Sequence, residues 1–257
     1  MIDYRILHTV PELRAVEQLE IVVWGLNPLD AVPMYIMHAA AENGGVTLGA
    51  YDGEQMVGMA FGFAAKRGAE VFFWSHMAGV HPAYQGRGVG YELKQRQRAW
   101  ALEQGYEIIR WTFDPLQRGN AHFNIALLGA TVSVYHENFY GDMDDDINRG
   151  LPSDRVEAAW KLRQPQGKAH TGRVPPALLQ AADDVHLALN LPSQWQEAAY
   201  FVPLPRASWS SIETHTLRLT WRMGVRAALQ TAFAQGYTAA GFHKEANGYI
   251  VEKRSNA

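Results

Sequence analysis

Cysteine does not occur among the 257 residues. Its absence excludes disulfides, thiolate zinc sites, iron–sulfur clusters and any cysteine nucleophile. An excess of either charge is also missing. Lys and Arg number 23 against 26 Asp and Glu, a net of −3, so no bulk attraction to nucleic acid or to an anionic membrane is expected. No apolar run is long enough to span a bilayer, and the start, Met1-Ile2-Asp3-Tyr4-Arg5, does not read as a signal peptide. With 47% hydrophobic and 19% charged residues, the chain reads as a soluble, cytoplasmic globular protein with ample material for a core.

What is present reads, in the first half, as strands alternating with helices. Tyr4–His8 is a strand candidate, and Thr9-Val10-Pro11-Glu12 has the form of a capping box opening a helix from Pro11 to Trp24. A shorter helix follows over Pro33–Glu42, then strands at Val46–Tyr51, Gln55–Ala65 and Glu70–Val80, with Asp52-Gly53 and Arg67-Gly68 as turns. After Gly90 the period becomes helical. Val89, Leu93 and Trp100 fall near one face, while Glu92, Lys94, Arg96 and Arg98 fall away from it. Glu107–Phe113 is a strand, Arg118–Leu128 a helix capped by Gly129, and Thr131–Tyr135 and Arg155–Leu162 are strands flanking an acidic stretch at Asp142, Asp144, Asp145 and Asp146.

Residues 163–176 are polar and rich in Pro and Gly, as in a linker. Beyond it the pattern predicts a helix over Ala177–Asn190, a strand over Ala198–Leu204 and a long helix over Ser211–Gln235. A hairpin, Tyr237–Phe242 with Tyr249–Lys253, turns at Asn247-Gly248. The division expected is a domain over 1–162, a linker over 163–176 and a C-terminal α/β extension over 177–257. The extension packs on the first domain as one unit or stands apart.

The informative segment is Val80-His81-Pro82-Ala83-Tyr84-Gln85-Gly86-Arg87-Gly88-Val89-Gly90, between a strand and a helix. Three closely spaced glycines expose backbone N–H groups at a helix N-terminus, a cradle for phosphate oxygens or simply a tight turn. A dinucleotide fingerprint would need Gly where Tyr91 stands, and a Walker loop would need Gly-Lys-Ser/Thr.

Gln85-x-x-Gly88-x-Gly90, preceded by Val80-His81-Pro82, resembles the pyrophosphate loop of the GNAT superfamily of acyl-CoA-dependent N-acyltransferases. The resemblance covers about residues 1–162. Ser75-His76-Met77, Trp111-Thr112-Phe113-Asp114-Pro115-Leu116, Asn120-Ala121, Leu128-Gly129-Ala130, Tyr140-Gly141 and Leu151-Pro152-Ser153-Asp154-Arg155 are similar to a bacterial subgroup of predicted acetyltransferases. Some members of that subgroup are associated with N-succinylation of amino acids. The resemblance implies an α/β fold with a mixed, mostly antiparallel sheet, whose fourth and fifth strands (Glu70–Val80, Glu107–Phe113) splay to admit pantetheine. It implies acetyl-CoA or another acyl-CoA as co-substrate and a small amine or amino acid as acceptor, with no metal, nucleic acid or membrane partner. A homodimer is compatible with the sequence but not derivable from it. Cofactor contacts fall to main-chain groups at Met77, Ala78 and Val80, to the loop Gln85, Gly86, Arg87, Gly88, Val89 and Gly90, and to Asn120.

Acyl transfer to an amine needs a base within reach of the nitrogen. His76 suits the task or simply packs in the strand, and Asp114 is a base or a turn-forming Asp before Pro. Glu137 and Ser75 are weaker candidates. The Tyr that many family members use to protonate the departing thiolate would fall at Ile125, so Tyr135 and Tyr140 are the nearest substitutes. Ten histidines invite a metal reading, but they are scattered, and His136-Glu137 lacks a second His at Tyr140. Lys94 and Arg98 read as contacts to CoA phosphate or as solvated surface. Arg222 and Arg226 read as partners for a dicarboxylic acyl group, or as an exposed or salt-bridged pair. A non-catalytic acyl-CoA-binding module and a nucleic-acid or protein scaffold are the competing classes.

Overall fold

A computed structural model of the chain describes residues 1–143, 150–164, 167, 170–181, 186–207, 212 and 214–254. The chain divides into two compact units, one of residues 1–111 with 161–163, the other of 112–160 with 164–257.

In the first unit, strand β1 (Ile2–Ile6) leads to helix α1 (Val10–Trp24). The Glu12 carboxylate accepts from the Thr9 N–H at 3.0 Å and from the Thr9 hydroxyl at 2.8 Å, which satisfies donors the helix start leaves over. Helix α2 (Met34–Ala41) and strands β2 (Val46–Asp52), β3 (Gln55–Arg67) and β4 (Glu70–Val80) follow. Helix α3 (Val89–Glu103) then returns to β5 (Ile108–Phe113), whose last two residues belong to the second unit. The strands lie in the order β1-β2-β3-β4-β5. All neighbours are antiparallel except β4 and β5, which are parallel.

Each face of this sheet carries its own core. Leu13, Val16 and Leu19 of α1 and Met37 of α2 pack with Met59, Phe61 and Met77 on one side. On the other, Phe73 meets the rings of Trp100 (5.3 Å) and Tyr106 (5.5 Å), and Lys94 of α3 reaches Ser75. Strand β4 carries a β-bulge that shifts which of its residues meet each face. Phe61 pairs with Met77 but Gly62 with Ser75, which leaves His76 as the extra residue.

Lys94 overturns its expected place. It is buried, along with Leu93, Gln97 and Ala101, because a position one residue beyond Leu93 and three before Gln97 turns toward the sheet at 3.6 residues per turn. Arg98 also turns away from solvent, its Nε donating to the Leu162 carbonyl at 2.8 Å.

In the second unit, α4 (Arg118–Ala121) runs on as a π-helical segment over His122–Leu127. Strands β6 (Thr131–His136) and β7 (Arg155–Lys161, its last residue in the first unit) pair antiparallel. Here the expected helix over 177–190 is corrected. The described residues form strands β8 (Leu179–Ala181) and β9 (Leu187–Leu189), paired with each other. Tertiary pairing overrides the helix propensity of Ala and Leu: Leu178 N–H donates to the Phe201 carbonyl at 2.8 Å, and Leu179 lies against Gly224.

Strand β10 (Ala199–Pro203), helix α5 (His215–Ala234), β11 (Tyr237–His243) and β12 (Gly248–Lys253) complete the unit, with strand order β7-β6-β11-β12-β10. The predicted turn at Asn247-Gly248 is present, with Asn247 at φ 59°. Of the acidic stretch only Asp142 lies within the described residues, while Asp144, Asp145 and Asp146 lie outside them, as does Ser211. Among the described residues no helix is long and apolar enough to cross a membrane.

The two arginines of α5 are salt-bridged, as one of their readings held. Arg222 grips Asp114 through two contacts of 2.6 and 2.8 Å, and both side chains are buried. Arg226 holds both oxygens of Asp154 at 2.8 and 2.7 Å and reaches Glu137 at 2.8 Å. Arg222→Met strands the Asp114 charge and is expected to cost about 3–5 kcal/mol. Arg96→Met, which loses only an exposed i,i+4 pair with Glu92, is expected to cost under about 1 kcal/mol. Denaturant midpoints decide, and equal losses would contradict the burial argument.

Candidate functional site

The end of β4 and the start of α3 form a loop whose backbone is open. Gly86 lies at φ 74° and Gly88, the N-cap of α3, at φ 82°, a region a side chain enters only at a cost of about 1–2 kcal/mol. A β-carbon on either glycine would meet nothing within 4 Å, so protein packing is not what keeps them small. The first helical bond runs from Glu92 N–H to the Gly88 carbonyl at 3.0 Å. The amides of Val89, Gly90 and Tyr91 precede it and have no intrahelical acceptor. Together with the positive end of the helix dipole, they suit an anion.

The surrounding side chains fix this loop. The Gln85 amide donates to the Val80 carbonyl at 3.1 Å, tying the loop to the strand. Tyr84 donates to Asp52 at 2.9 Å, and the Arg87 guanidinium lies 5.0 Å above the Tyr84 ring. Val89 is buried against Gly58 of β3, so the helix start cannot slide.

Upstream, β4 parts from β5. Parallel pairing is confined to Phe73 with Ile109 and Trp74 with Arg110. The next residues, Ser75 on β4 and Trp111 on β5, mark the fork. Here the Lys94 ammonium donates to the Ser75 hydroxyl at 2.9 Å and to Gln97 Oε1 at 2.8 Å, and sits 4.1 Å above the Trp111 ring. Burial pushes Lys94 down to about 7. Beyond the fork, Met77 buries its side chain in the α1 core, so only its main chain is available at the strand edge, while Ala78 is exposed. His76 is exposed as a residue, but its imidazole lies against the rings of Phe61 (6.0 Å) and Phe63 (5.8 Å), whose partial desolvation of the ring holds it below the usual histidine range.

The remaining candidates lie in the second unit and are held by partners there. Asp114 accepts from Arg222 and, in a tight turn, from the Leu116 N–H at 2.9 Å. Tyr135 donates to Asp154 at 2.6 Å, and burial followed by the Asp154 charge raises its phenol far above the ordinary value. Tyr140 shares a 3.2 Å hydrogen bond with Thr112, and Arg155 lies over its ring at 5.2 Å. Asn120 is exposed on α4, and Ile125 is buried in the π-helical segment.

Thus His76, Met77, Ala78, Val80 and the 85–90 loop occupy one continuous strand–loop–helix, whereas Asp114, Tyr135 and Glu137 belong to an arginine-centred network. Sequence reasoning missed Gln97 and Trp111 and misplaced Lys94. The available signal was a basic residue set among the inward positions Val89, Leu93, Gln97 and Ala101.

Residues 13–124 match the acetyltransferase (GNAT) family. No curated protein matches the sequence. Solved structures similar to it include the ribosomal-protein-S18-alanine N-acetyltransferase from Escherichia coli, at 15% identity over 66% of this chain and 99% of that one, with a TM-score of 0.49. FeeM, an N-acyl amino acid synthase from uncultured soil microbes, is 12% identical over 64% and 92% of the two chains, with a TM-score of 0.49. A GNAT-family acetyltransferase from Streptococcus pneumoniae is 16% identical over 63% and 99%, with a TM-score of 0.47.

Gly88→Val is expected to weaken CoA binding at least tenfold in calorimetry. The valine forces the cradle out of its positive-φ conformation, while the open space around it keeps the fold intact by circular dichroism. Unchanged affinity would remove the loop from the binding site.

Proposed function

We propose that the protein transfers an acyl group, acetyl by default, from acyl-CoA directly to the primary amine of a small molecule or amino acid. The observation that carries this reading is the alignment, along one strand–loop–helix, of an open phosphate cradle at Gly86–Gly90 with a strand edge left unpaired beyond Trp74. In this reading the 85–90 amides and Arg87 hold the pyrophosphate. Main-chain groups from Met77 to Val80 pair with pantetheine, and an N–H beside the bulge receives the thioester oxyanion.

His76 is the base in this reading. It takes the proton of the attacking amine directly or through one water, and its neutral form persists to lower pH than that of an ordinary histidine because the ring is desolvated. The amine nitrogen forms the new C–N bond, the C–S bond breaks, and the thiol leaves. Absence of cysteine rules out an acyl-cysteine on the protein, so donor and acceptor meet in one ternary complex.

The acetyl donor is favoured over succinyl because Arg222 and Arg226, the arginines available for a distal carboxylate, are engaged by Asp114, Asp154 and Glu137. Acetyl- and succinyl-CoA, each offered with a panel of amines and amino acids, test the reading through thiol release. Turnover with acetyl-CoA is expected, and CoA binding without turnover on any amine would make the protein a binding module instead. His76→Gln is expected to lower kcat/KM at least tenfold and to abolish the acid limb of its pH profile, which in the parent falls below pH ~6.5. Superimposable profiles would place the base elsewhere.

A further inference from the structure

We propose that Lys94 is the cation that receives the CoA thiolate as the C–S bond breaks and holds it as an ion pair until CoA leaves. The inference rests on the acyl-CoA reading above and fills the role left open at the departing thiolate. Tyr135 has its proton committed to Asp154, and the helix position after β5 where the tyrosine was expected holds Ile125.

The argument begins with position. Lys94 stands at the fork of β4 and β5, against Ser75 and Trp111, the first residues past the last paired ones. Helix α3 runs back along β4, so its second turn, through Lys94, lies level with Ser75 while its first turn carries the cradle. Five residues of strand, from Val80 back to Ser75, cover about 17 Å. An extended pantetheine arm anchored by its pyrophosphate at Gly86–Gly90 has that reach, which brings its sulfur end to the fork.

The second argument is the state of the donors there. Lys94, Ser75 and Gln97 are all buried, at 4%, 3% and 0% exposure. Gln97 Oε1 accepts from Lys94, but its Nε2 is buried with no hydrogen-bond partner among the described residues. A buried amide donor left over costs about 1–3 kcal/mol, so the fork is arranged for an acceptor that arrives with a ligand. The amide carbonyls of pantetheine supply acceptors, and a thiolate beside the ammonium supplies the anion.

Charge at this place is finely balanced. Burial lowers the Lys94 ammonium to about 7, whereas an ordinary thiol ionises near ~8.5. An anion alongside it restores the charged form, and the ammonium in turn favours the thiolate over the thiol. The side chains that face it include the Ser75 hydroxyl from β4, Gln97 from α3 and the Trp111 ring from β5. The titratable neighbours on these elements are His76 at the bulge, Arg98 bound to the Leu162 carbonyl and Arg110 paired with Glu70. The step balances. The electron pair of the C–S bond goes to sulfur, the thiolate rests against the Lys94 ammonium, and it takes a proton from solvent as CoA leaves.

The test uses the full-length protein, CoA and desulfo-CoA, and needs no acceptor. The thiolate fraction of bound CoA is read from its far-ultraviolet absorbance across pH; a chain without cysteine adds no thiolate of its own. In the parent, bound CoA is expected to show at least ten times the thiolate fraction of free CoA at pH 7. Lys94→Met, which keeps the length of the side chain, is expected to lose this excess while binding desulfo-CoA with unchanged affinity. A parent whose bound thiol titrates at or above its free value overturns the assignment without recourse to any variant. An excess that survives in Lys94→Met also overturns it. Failure of the parent to bind either CoA or desulfo-CoA overturns the acyl-CoA reading itself, a result distinct from binding with an unshifted thiol.

Discussion

The rest of the site depends on the point where two parallel strands stop holding each other. Adjacent strands stay together through their main-chain bonds, and between β4 and β5 that pairing ends after Trp74 and Arg110. From there β4 is bonded on its β3 side as far as Gly58–Val80. A strand with unsatisfied groups along one edge is a template for an extended partner. The same strand runs directly into the glycine-rich start of α3. An extended ligand with a doubly charged end is therefore met by two consecutive pieces of one polypeptide.

What fills the fork is unusual for a protein interior. Where an aliphatic side chain would suffice to pack α3 onto the sheet, the chain places an ammonium, an amide and a hydroxyl beside an indole. Burying an ammonium is costly, and the cost appears as the lowered proton affinity of Lys94. The second unit treats its charges in the opposite way. Arg222 and Arg226 are each matched to carboxylates with bidentate geometry, which fixes α5 in place and leaves those groups little freedom to exchange protons.

The sequence made the strand–loop–helix legible because its signals are local. Glycine spacing, the capping box at Thr9 and the Asn247-Gly248 turn each act over a few residues, and each is present in the fold. Two kinds of feature were hidden. Partners far apart along the chain, such as Asp114 with Arg222, leave no spacing to read. Propensity also misled where distant pairing decides, as at Leu178–Ala181, where alanine and leucine spell helix but Phe201 draws the segment into strand-like bonding. Lys94 belongs to a third kind: its position on the wheel was readable, but its charge argued for the opposite face, and position prevailed.

The bulge at His76 makes the length of β4 a constraint as strict as its composition. Side chains normally alternate, so Ser75 and Met77 would share a face. The extra residue sends Ser75 to the α3 side and Met77 into the α1 core. Deleting one residue here would restore the alternation and exchange the lining of the two layers, with a methionine at the fork or a hydroxyl amid the aliphatic core. A single insertion or deletion near residue 76 would therefore rewire both faces at once.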